Sequence, residues 1–144
     1  MSLEQICAAI PHRPPFLLLD EIVELGGERI VCRKTFAADE PFYTGHYPGF
    51  PITPGVLLCE AAMQAGAVLL SQYVEPGQGG VPVATRMNDV RFKRMVRPGE
   101  TIEIEVELTD RLASAFFLKA KVHCQGQLAV RFEFACTLAA GSST

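Results

Sequence analysis

The hydrophobic positions of the chain change period along its length, and each change marks an element. Leu3, Ile6, Cys7 and Ile10 recur at helical intervals, and Ser2 with Gln5 has the spacing of a capping box. This predicts a short amphipathic helix ended by Pro11, Pro14 and Pro15. Residues 16–25 and 28–36 read as two strands around Gly26-Gly27, whose tolerance of positive φ suits a tight hairpin. Residues 39–55, dense in proline and glycine, predict a long, stiff loop. From 54 to about 73 the Ala, Leu and Met content predicts a helix of about 20 residues, about 30 Å long. Thr53 suits its N-cap and Pro54 its first turn. After a Gly-rich turn at 75–80, the segments 81–92, 101–110, 114–124 and 127–139 alternate or run apolar, and the last three read as an antiparallel meander. TIEIEVEL, from Thr101, is a strict two-residue alternation with one acidic face, the mark of a strand half in water. An apolar helix must be covered on most sides, so the pattern implies an α+β fold in which one antiparallel sheet curls around it. The edge strands of that sheet are open to a second copy.

Composition narrows this picture. The chain has 144 residues, 49% of them hydrophobic, which fits one domain over 1–144. Thirteen Lys and Arg against 16 Asp and Glu give a net charge of -3, so nucleic acid is not an expected partner. Prolines and Glu60 interrupt the longest apolar stretch, and no membrane span is expected. The start lacks a basic segment followed by an apolar core, so the expected location is cytoplasmic. Five cysteines, Cys7, Cys32, Cys59, Cys124 and Cys136, show no C-x-x-C spacing and read as reduced, mostly buried thiols, with no metal site.

Candidate chemistry concentrates around the long helix. Between 56 and 70 only Glu60 and Gln64 interrupt the apolar character, and four-residue spacing puts them on one helix face. A carboxylate there loses hydration and needs a partner, and such groups concentrate at functional sites; the bland alternative is a structural pair or a path to solvent. His46 stands in the proline-stiffened segment that feeds the same helix, and imidazole takes up a proton near neutral pH. His12 and His123 are read as structural. Helix amides at Gly55 and Val56 could stabilise an oxyanion. A base, an acid and an oxyanion donor are the set needed to enolise a carbonyl compound and expel a β-leaving group.

HRPPFLLLDEI, GHYPGFPITPGVLLCEAAMQ and VRFKRMVRPGE, at these spacings, resemble the FabZ-type (3R)-hydroxyacyl-[acyl-carrier-protein] dehydratases of the hotdog fold, from about residue 3 to 138. The resemblance implies that His46 is the base, Glu60 the acidic partner and the Gly55 amide the donor to the thioester oxygen; Gln64, on the same helix face as Glu60, is expected to position it. It further implies a homodimer in which His46 of one chain faces Glu60 of the other, such dimers often assembling into trimers of dimers. Dehydration of an acyl-carrier-protein thioester to the trans-2-enoyl product needs no cofactor. The chain departs from the family pattern at Pro14, Phe50, Thr53 and Arg86-Met87-Asn88, which cluster around positions expected to line the acyl channel.

Arg91, Lys93, Arg94 and Arg97 gather four cations within seven residues. They read either as a solvated strand end or as a dock for an acidic carrier protein and its phosphopantetheine phosphate. Competing functions are a hotdog acyl thioesterase or enoyl-CoA hydratase using the same tunnel, and a non-catalytic acyl-binding protein.

Overall fold

A computed structural model describes residues 3–74 and 80–139. Ser2, half of the expected capping box, and most of the Gly-rich turn lie outside them. The elements are α1 (Leu3–Ala9), β1 (Glu21–Leu25), β2 (Arg29–Thr35), α2 (Gly55–Leu70), β3 (Val81–Phe92), β4 (Thr101–Leu112), β5 (Ala115–Cys124) and β6 (Gln127–Ala139). Short 3₁₀ turns occupy Pro41–Thr44 and Ser71–Tyr73.

All six strands form one antiparallel sheet in the order β1-β2-β4-β5-β6-β3. The expected meander is β4-β5-β6. Its second turn is closed by Gln125 and Gly126, both at positive φ (52° and 76°), the requirement of a two-residue hairpin that continues the sheet's twist. The strict alternation of β4 sends Ile102, Ile104, Val106 and Leu108 inward. Glu103, Glu105 and Glu107 lie on the outer face, in register with Arg33, with Lys121 and with Arg29 and Lys119 respectively, and such opposite-charge cross-strand pairs stabilise a wet sheet face.

The sheet wraps α2, whose Leu58, Ala61, Ala62, Ala65 and Leu69 join the core. Helix and sheet approach so closely at Gly66 that an added Cβ would lie 2.7 Å from the Phe134 ring. The stretch Gly55–Tyr73 has the length and mean hydropathy of a membrane span, despite the interruptions that argued against one. With 61% of its span window buried inside the fold, it reads as a core helix.

Two local expectations change. The first strand begins at Glu21 rather than near 16, because the polar groups of the preceding backbone are satisfied by a side chain instead of a neighbouring strand. The Leu18 amide donates to Gln64 Oε1 (2.8 Å), and the Phe16 carbonyl accepts from Gln64 Nε2 (2.9 Å). Thr53 does not cap α2. Its hydroxyl pairs with that of Tyr43 at 2.6 Å, its amide donates to the Val96 carbonyl, and Pro54 takes the N-cap position without a side-chain cap.

Candidate active site

The loop before α2 is closed on itself. The Ile52 amide donates to the His46 carbonyl (2.9 Å), and Tyr47 and Phe50 exchange backbone bonds around Gly49, which sits at φ +77°. His46 Nδ1 lies 3.0 Å from the Ile52 carbonyl oxygen. A carbonyl can only accept, so Nδ1 carries the proton and Nε2 presents a lone pair. The ring also stacks on Tyr47, centroids 4.4 Å apart.

His46 borders an open cleft of about 490 Å³, lined mainly by apolar groups including Ile52, Gly55, Val56, Leu58, Phe92 and Met95. Because Thr53 is occupied elsewhere, no side chain caps the start of α2, and among the described residues nothing accepts from the Gly55 or Val56 amides. Free donors at the positive end of a helix dipole are suited to an oxygen gaining negative charge. Gly55 is needed sterically as well: a Cβ there would lie 2.5 Å from the Phe92 ring.

Glu60 lies one to two turns further along α2 and lines a second cleft, of about 270 Å³, with His12, Met63, Gln64 and the start of β3. Gln64 Nε2 donates to Glu60 Oε2 at 3.1 Å. The same buried amide therefore holds both the carboxylate and the backbone at Phe16 and Leu18. His12, which sequence reasoning treated as structural, has Nε2 at 3.8 Å from Glu60 Oε2. Its position in HRPPFLLLDEI, inside a family-like motif and after a proline, was the signal that could have singled it out.

Within one chain the structure does not bring His46 and Glu60 together; they border different clefts. The four candidate docking cations also differ. Arg91 pairs with Asp89 (3.1 Å). Arg94 bonds Glu100, Gln125 and Gln127, and its guanidinium pKa is raised chiefly by Glu100. The Glu100 carboxyl is held below its ordinary value, first by the Arg97 amide and further by Arg94. Arg97 places its guanidinium 5.2 Å from the Phe50 ring centroid. Lys93 lines the His46 cleft and has no acidic partner among the described residues. Burial pushes the thiols of Cys59 and Cys136 up to about 11 and that of Cys32 to about 12, which leaves them protonated and poor nucleophiles.

A helix wrapped by one antiparallel sheet, with a His-bearing loop at the helix start and a Glu on the helix, defines a hotdog-fold protein of the dehydratase type. The FabA-like domain family matches residues 10–133, and the chain belongs to that family. It is 38% identical to a 3-hydroxyacyl-[acyl-carrier-protein] dehydratase FabZ of Syntrophobacter fumaroxidans, over 99% of this chain and 97% of the relative. It is 49% identical to the enzyme of the same name from Chloroflexus aggregans, over 75% of each chain. Among solved structures, the dehydratase heterocomplex ApeI:P from Xenorhabdus doucetiae matches with a TM-score of 0.75 at 16% identity, covering 93% of this chain and 90% of that one. The E. coli PaaI protein matches with a TM-score of 0.65 at 18% identity, covering 81% of each. At such identities the two structures speak for the fold alone.

Proposed function

We propose that this chain is a (3R)-3-hydroxyacyl-[acyl-carrier-protein] dehydratase, acting as one domain over residues 1–144 in the cytoplasm. The observation that carries the reading is His46, its Nδ1 held by the Ile52 carbonyl, lining the same apolar cleft as Gly55 in a FabA-like chain. The thioester oxygen is held at the Gly55 and Val56 amides. His46 Nε2 takes a proton from C2, the C–H electron pair becomes the C2–C3 double bond, and the C3–O bond breaks. Glu60 gives its proton to the departing hydroxyl, which leaves as water. Solvent then returns His46 and Glu60 to their starting states.

Since the two groups border separate clefts in one chain, the reaction needs a second copy to join them. Features that support a homodimer are the edge position of β3, with Val83, Met87 and Val90 exposed, and Val56, 70% exposed on the first turn of α2. Lys93 and Arg94 line the cleft; Lys93, without an acidic partner among the described residues, is the cation best placed to meet the acidic carrier and its phosphopantetheine, whereas Arg94 also braces Glu100. No observation favours a thioesterase, an enoyl-CoA hydratase or a non-catalytic binder.

The test is hydration, run in reverse, of enoyl thioesters of graded length on acyl carrier protein and on coenzyme A, followed by loss of the conjugated enoyl absorbance. The reading expects water addition without release of free thiol and faster reaction of the carrier-bound forms. Thiol release without hydration would establish the thioesterase instead.

A further inference from the structure

His12 lies outside the base, acid and oxyanion roles, yet it shares the Glu60 cleft. Gln64 Nε2 donates to Glu60 Oε2 at 3.1 Å, and His12 Nε2 stands 3.8 Å from the same oxygen, whereas Oε1 accepts no bond from the described residues. The other ring nitrogen of His12, Nδ1, is buried with no hydrogen-bond partner among them. A ring proton is better placed toward a carboxylate than in a buried position with no acceptor, which selects the Nε2–H tautomer. The ring is set by its surroundings. It stacks on Phe16 with planes 22° apart, and the Arg13 guanidinium bonds the carbonyls of Cys7, Ile10 and His12.

We propose that His12 is a positioning residue: with Gln64 it directs N–H groups at Oε2 of Glu60 and so leaves Oε1 as the oxygen that faces the substrate hydroxyl. An oxygen that already accepts the Gln64 N–H and faces that of His12 is the poorer place for a proton. The acid proton therefore rests on Oε1, from which it passes to the departing hydroxyl as the C3–O bond breaks. This inference rests on the dehydratase reading for its chemistry but not for its geometry. Among the described residues facing the cleft from neighbouring elements, only Cys136 of β6 otherwise titrates, and burial pushes its thiol up to about 11.

The experiment has two arms. In the first, His12→Phe keeps the aromatic ring and its stacking but removes the donor, and His12→Gln restores an N–H group. The expected result on a crotonyl thioester is a fall in kcat of about three- to tenfold for His12→Phe, the scale of one lost polar contact to a neutral acid. KM stays within about twofold, and His12→Gln recovers part of the loss. A His12→Phe variant with wild-type kcat would overturn the proposal. In the second arm, ¹⁵N NMR of the ring reads the tautomer without any substrate. Nε2–H supports the proposal and Nδ1–H overturns it. A wild type that hydrates no thioester would defeat the dehydratase reading, and the NMR arm would still decide the placement of His12.

Discussion

Because the Ile52 carbonyl holds the Nδ1 proton of His46, the proton-accepting capacity of the loop rests on one nitrogen. His46→Ala should therefore lower turnover by about two to four orders of magnitude, as should Glu60→Gln, which keeps size and loses the acid. Circular dichroism should show both variants folded, and near-wild-type hydration by either would remove that residue from the chemistry. Gln64 differs in kind, being 1% exposed and bonded at once to Leu18, Phe16 and Glu60. Gln64→Leu leaves the buried Leu18 amide without a partner, a cost of about 1–3 kcal/mol, and frees the part-buried Phe16 carbonyl. Denaturant unfolding should record that loss, and kcat should fall as Glu60 is freed. A stable, fully active variant would contradict the shared bracing.

At the scale of elements, α2 meets its neighbours through two glycines with different tolerances. Adding a methyl at Gly66 drives it into the buried Phe134 ring of β6, which has nowhere to retreat. Gly66→Ala should cost about 1–3 kcal/mol and lower Tm, with less effect on kcat in the surviving fold. Gly55→Ala meets Phe92, a ring 55% exposed and able to swing aside. Here Tm should change little while catalysis falls, because the displaced ring and the new methyl crowd the amide proposed to receive the thioester oxygen. A calorimetric scan paired with the hydration assay separates the two outcomes. Equal losses of stability at both positions would mean that Phe92 is as fixed as Phe134.

For the molecule as a whole, the division of the site between two clefts gives a direct test of assembly. Inactive His46→Ala and Glu60→Gln subunits, dissociated and mixed, should form hybrid dimers in which one of the two sites has both groups intact. Activity should rise above that of either parent. Proven hybrids without activity would mean that each site is built from one chain or that the pair is misassigned. The buried thiols contribute a loss of stability at alkaline pH. Cys32, Cys59 and Cys136 have an ordinary value of 9.0, raised by burial to about 12, 11 and 11. Below pH 9 they are protonated both folded and unfolded, and the stability they contribute is fully present. As pH rises from there toward their folded values only the unfolded chain ionises, so stability is lost. Tm should fall between about pH 9 and about pH 11, and less steeply in Cys32→Val. An unchanged slope in that variant would assign the alkaline loss to other groups.

The sequence by itself determined the element boundaries wherever one periodicity held over many residues. The spans of β3 and β6 match the expected 81–92 and 127–139, and the alternation of β4 already divided core from solvent. It also displayed the candidates His46, Glu60 and Gln64, because polar groups in apolar or proline-stiffened surroundings are conspicuous in one dimension. What it could not express is partnership between distant residues. Strand order is such a case: β3 follows the helix in the chain yet pairs with β6 at the far edge. The late start of β1 and the uncapped α2 are others, since Phe16 and Leu18 find Gln64 while Thr53 finds Tyr43. A local rule for caps or strands counts the bonds that neighbours in sequence can make. Only the folded chain decides which polar group is claimed from elsewhere, and that decision left the Gly55 amide free, braced Glu60 through Gln64, and brought His12 to its side.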